Sequence, residues 1–178
     1  MAQNNLYNSQ GWWGKAIGAG IVAGLAMGMY EMIAMWAMGR GFFAPLNMMA
    51  ATFSTFRPPA EGFQFGATLS GLLIHLATSA LWALVLALAA GAFMKSLSGF
   101  GASTLTGLVL GITAWIITGL FIGPLVNPVI SMAPAVHFFI GHMVFGLVTA
   151  WVLYAWAGGR HLAEYGAEGR EGMRVRPA

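Results

Sequence analysis

The sequence contains no cysteine and no aspartate, and only 7% of its 178 residues are charged, against about a quarter in a soluble globular chain. Without cysteine there is no disulfide, thiolate metal site, iron–sulfur cluster or cysteine nucleophile. Without aspartate there is no Ser-His-Asp set, and no phosphate-binding glycine loop or nucleic-acid motif occurs either. From Ser96 to Gly159 no acidic residue, lysine or arginine appears at all. About 20 apolar residues already cross a bilayer, so that interval must hold more than one span.

What is present is hydrophobic: 58% of the residues are apolar or aromatic. The apolar runs predict an all-α membrane protein, a bundle of four transmembrane helices in a single domain covering residues 1–157, with a polar cytoplasmic tail at 158–178. The spans are expected at about 16–38, 67–93, 105–122 and 135–156. The first ends at Gly39-Arg40-Gly41, the second before Lys95 and a Ser-Gly-rich turn, and the third at Gly123-Pro124; Pro134 opens the fourth. The short turn predicts that the second and third spans are antiparallel neighbours. Residues 1–10 are polar and uncharged and the apolar run after Lys15 is longer than a signal h-region, so the first span is read as uncleaved. The spans and their connections use nearly all of the chain, which leaves no space in it for a soluble catalytic domain.

The net charge is +3 and the pI about 9.7, but the basic residues flank the spans instead of forming a nucleic-acid patch. Lys15, Lys95, Arg160, Arg170, Arg174 and Arg176 lie on one side, and Arg40 and Arg57 on the other. Six against two places both termini in the cytoplasm. The long segment 39–66 is then outside, and its apolar piece 46–56, between Pro45 and Pro58-Pro59, reads either as a short interfacial helix or as an irregular loop. Trp12-Trp13, Trp36 and Trp156 fall at span ends, where an aromatic belt is expected.

The halves of the chain also resemble each other. Gly28, Trp36 and Pro45-Leu46 recur with identical spacing as Gly107, Trp115 and Pro124-Leu125, each proline followed by an asparagine, Asn47 and Asn127. His75 with Ser79 matches His142 with Gly146. The pattern reads as two duplicated helical hairpins, arranged as a parallel repeat.

Helices in lipid gain little from hydrophobicity when they meet, so small residues and a few polar contacts must hold them together. Gly20, Gly24 and Gly28 lie at four-residue steps on one face of the first span, and Gly107 and Gly111 on the third. Gly71, His75, Ser79 and Trp82 form a stripe on the second, and His142, Gly146 and Thr149 on the fourth. These are the expected helix-packing faces. The methionines of the first span point to several of its faces and are read as packing.

Glu31 is the only acidic residue inside a span, and such a carboxyl costs about 2.5–3.5 kcal/mol to insert. At 1.5 Å per residue it lies about 10 Å from the outer end of its helix, His75 about 12 Å and His142 about 10 Å from theirs. The three share one depth. Together they are the candidate site: two imidazoles could ligate a haem b, one could ligate a chlorophyll-type pigment, and a Glu–His set suits a metal or a proton relay. Equally, each histidine could simply bond a neighbouring carbonyl, with no cofactor. His137 falls near the membrane surface and His161 in the tail, and neither stands out as a ligand.

The segments Gly123-Pro-Leu-Val-Asn-Pro-Val and Gly141-His-Met-Val-Phe-Gly resemble small four-span bacterial inner-membrane proteins of uncharacterised function. The resemblance covers the four spans and not the tail. It implies a four-helix fold in a bacterial inner membrane and brings no activity or ligand with it.

The function expected is therefore that of a non-enzymatic membrane subunit, accessory or structural in a larger complex of an electron-transfer or photosynthetic kind. Its partners would be the lipid bilayer and other membrane subunits or further copies of itself, with no nucleic acid. A haem- or pigment-binding electron-transfer module using His75 and His142 is the alternative, and a small transporter or channel a third. The orientation is testable: a reporter active only outside the cytoplasm should work when inserted beside Pro58 and fail when fused after Ala178. The reverse pattern would invert the topology.

Overall fold

A computed structural model describes residues 11–53, 61–93, 100–126 and 129–174. The described residues are helical throughout, apart from turns: α1 (Trp12–Ala37), α2 (Ala44–Ala51), α3 (Phe65–Phe93), α4 (Phe100–Ile116), a π-helical segment (Ile117–Ile122), α5 (Gly123–Val126), a 3-10 turn (Ile130–Met132) and α6 (Ala135–Arg174). Four helical stretches are long and apolar enough to cross a bilayer: Trp12–Ala37, Phe65–Leu88, Phe100–Val126 and Ala135–Trp156. The chain is thus an all-α, multi-pass membrane protein. Most of the Ser-Gly turn (residues 94–99), Asn127 and the Pro58-Pro59 end of the long connection lie outside the described residues.

The helix ends follow from local chemistry. Gly39, at φ +74°, takes the left-handed conformation that glycine adopts without strain. This lets the Gly39 N–H bond the Trp36 carbonyl and the Arg40 N–H bond the Met35 carbonyl, both at 3.0 Å, which closes α1 in a Schellman motif. Pro45 occupies the first turn of α2, where its missing N–H costs nothing. The third span does not stop at Gly123-Pro124 as the sequence suggests. Its last turns widen into a π segment, with the Gly123 N–H reaching back to Thr118, and helix resumes to Val126. A regular α-turn would drive the proline ring into the carbonyl four residues earlier, and the wider turn relieves that.

The four spans stand in the order α3, α1, α6, α4, with α1 and α6 at the centre. The first span is the most buried of the four and the third the least. The expectation that the second and third spans are neighbours is therefore wrong: α3 and α4 scarcely meet. A short turn ties only one pair of helix ends, whereas α1 and α6 meet at several points along their length, Gly18 against Trp156, Ala23 and Met27 near Phe145, and Glu31 against Gly141. Ala16, Ala19 and Ala23 of α1 are fully buried, and Ala23 and Met27 join Phe145 of α6 and Ala83 and Leu86 of α3 in one core cluster.

Within each hairpin the glycine faces do what their spacing implies. A Cβ at Gly20 would lie 2.6 Å from the Ala83 Cβ and the Ser79 carbonyl, and one at Gly24 would lie 2.6 Å from the Ser79 hydroxyl. In the second hairpin a Cβ at Gly107 would lie 2.8 Å from the Gly146 carbonyl, and Gly146 in turn abuts the Gly107 backbone. Packing sets Gly28 against His75 and Gly111 against His142, so it equates Gly28 with Gly111. The sequence repeat equates Gly28 with Gly107, one helical turn away.

Gly24→Leu should destabilise the bundle by about 1–3 kcal/mol through overpacking. Gly14→Leu, where a side chain meets nothing within 4 Å, should change stability by less than about 0.5 kcal/mol. Thermal unfolding in detergent measures both, and equal melting temperatures would remove the glycine face from the packing.

Candidate functional site

The two span histidines are buried, His75 to 7% and His142 to 5% exposure, and each donates to a backbone carbonyl. His75 Nε2–H reaches across to the Gly24 carbonyl of α1 at 2.8 Å. Gly28 makes this approach feasible, because a Cβ there would sit 3.2 Å from the same nitrogen. His142 Nδ1–H donates to the Phe138 carbonyl one turn back in its own helix, at 2.8 Å. A buried polar group left unpaired would cost about 1–3 kcal/mol, and these bonds remove that cost.

Glu31 lies level with both histidines but bonds neither. Its carboxyl packs on Gly141 of α6, where a Cβ would stand 2.8 Å from Oε1. Oε1 is enclosed and has no hydrogen-bond partner among the described residues. The side chain projects instead toward a cleft of ≈ 70 Å³ between the end of α1, α2 and the start of α6. Met35, Met48, Met49 and His137 line the same cleft. The expected trio is therefore split: the structure joins Glu31 to His137, the histidine that the sequence reading set aside. His137 is held by Tyr30, whose hydroxyl lies 3.0 Å from Nδ1.

α2 roofs this cleft because it is fastened to α3. Its Leu46 backbone occupies the space where a Cβ on Gly71 would be. Asn47, 2% exposed, donates from Nδ2 to the Gly62 carbonyl at 2.9 Å and accepts the Thr68 hydroxyl at 3.0 Å. The apolar piece after Pro45 is thus a helix packed on the bundle. Asn47 was visible in the sequence only as a repeat position; its role as an anchor carries no local signal.

The haem arrangement can be tested against this geometry. His75 Nε2 is committed to Gly24, and neither His75 nor His142 lines the cleft or the smaller cavity bounded by Ala87, Ser103, Thr106 and Thr149. The pair does not fit axial ligation of one haem. Among the described residues no three histidine or glutamate side chains gather as metal ligands. No protein-family model, curated protein or solved structure matches this chain.

Because Glu31 and His75 make no shared contact network, Glu31→Gln and His75→Ala should add. His75→Ala should cost about 1–2 kcal/mol, combining the lost interhelical bond and the lost imidazole volume. The double variant should equal the sum of the singles within about 0.5 kcal/mol. A coupling above about 1 kcal/mol in detergent unfolding would restore a common site.

Proposed function

We propose that the chain is a non-enzymatic subunit of a bacterial inner membrane, with both termini in the cytoplasm, accessory or structural in a larger membrane complex. The observation that carries this reading is how the polar groups are spent. The span histidines are tied to backbone carbonyls, Trp151 bonds the Thr104 hydroxyl at 3.0 Å, and Ser79 packs against Gly24. What remains outward is apolar along every span, as at Ile17, Leu25, Leu73, Leu81, Val109 and Ile140. Such a body suits lateral association in the bilayer. An electron-transfer or photosynthetic complex is the kind of partner proposed, with the chain supporting its neighbours instead of holding a tetrapyrrole between its own histidines. The basic residues of the tail and of Lys15 support the orientation.

Extraction of tagged chain from native membranes in mild detergent tests the proposal. Stoichiometric co-purification with larger membrane proteins is the expected result. Recovery of the chain alone, as a monodisperse species under the gentlest extraction, would overturn it.

A further inference from the structure

The cleft under α2 gathers side chains that are distant in sequence. Met35 comes from the end of α1, Met48 and Met49 from α2, and His137 from α6, while Glu31 lines the cleft with its Oε1 enclosed against Gly141 and without a hydrogen-bond partner among the described residues. Met35 is buried, and the other two methionines and His137 are half-buried. The methionines of α1 alone face several ways; the folding of α2 over the end of α1 brings three methionines to the lining of one cleft. The space, ≈ 70 Å³, is enough for an ion with a water or two, at about 30 Å³ per water.

The donor set selects the kind of ion. Thioethers are soft, neutral ligands that favour Cu(I) over magnesium, calcium or manganese. Hard cations need about six or more oxygen ligands, whereas Glu31 supplies the only carboxylate lining this cleft. Charge points the same way. One carboxylate balances a monovalent cation, but a divalent ion would leave an uncompensated charge in an apolar surround, at high desolvation cost. His137 is oriented as a ligand would be. If its Nδ1–H donates to the Tyr30 oxygen 3.0 Å away, Nε2 keeps its lone pair, the arrangement common to metal-bound imidazoles.

We infer that the cleft under α2 is a binding site for a soft monovalent cation, Cu(I) or its redox-silent analogue Ag(I). Met35, Met48, Met49 and His137 are the ligands, and Glu31 is the charge-balancing carboxylate. The site is independent of the subunit reading, and either can fail without the other.

Ag(I) titration of the full chain in chloride-free detergent solution, followed by calorimetry, tests it. One ion should bind per chain, with sulfur and nitrogen in the first shell by X-ray absorption. Met48→Leu combined with Met49→Leu should lower affinity more than about 100-fold, and Tyr30→Phe by about tenfold through loss of the bond that orients His137. Met29→Leu, on the exposed face of α1, should change nothing. Unsaturable uptake, equal affinity in the double variant, or equally tight Mg(II) binding would each overturn the site. Should the double variant fail to fold, the wild-type chain decides. Ag(I) should protect Met48 and Met49, but not Met29, from peroxide oxidation read by peptide mass spectrometry, and equal oxidation with and without silver would overturn the proposal.

Discussion

The bundle depends on paired helix backbones coming close enough to touch, and in the first hairpin close enough for a side chain of one helix to use a carbonyl of the other. The bond from His75 to the Gly24 carbonyl exists only because Gly20, Gly24 and Gly28 keep α1 bare along that face. In water, burial of apolar surface would draw helices together almost regardless of such detail. In lipid that force is absent, so contact depends on van der Waals fit and a few polar bonds, and both need the missing Cβ atoms. The second hairpin meets the same requirement differently, with Gly107, Gly111 and Gly146 closing backbone on backbone while His142 turns inward to its own helix.

Much of this was legible in the sequence, and the reasons differ by level. The spans are legible because a bilayer demands long apolar runs with no charge, and the glycine faces because four-residue spacing maps directly onto one helix surface. The common depth of Glu31 and the histidines follows from counting residues along each helix. Their mutual contact does not, because depth says nothing of direction. Glu31 lies seven residues past Gly24, about 20° around the helix from it, so spacing alone sets it on the glycine face, and only the packing of α6 shows that its carboxyl meets Gly141.

Other features have no local signature. The seam between α1 and α6 sets Ala23 and Met27 beside Phe145, unremarkable residues in so apolar a composition. The cleft needs α2 to fold back onto Gly71, an event set by Asn47 and Thr68 meeting across 21 residues. The third span passes its proline because a π turn absorbs the ring, a choice the Gly-Pro pair alone does not dictate. The first two are decided by long-range contacts and the third by a local change of helix type, whereas sequence periodicity reports only on a regular helix and its immediate face.

The row order of the spans has a mechanical consequence. A ring of four helices has two seams between its hairpins, and splaying one hairpin from the other must open both. Here α1 against α6 is nearly the whole joint, braced near one end by Glu31 on Gly141 and near the other by Trp156 on Gly18. Lateral pressure from the acyl chains on α3 and α4 therefore bears on this single seam, and any change in the angle between the two hairpins has to be taken up along it.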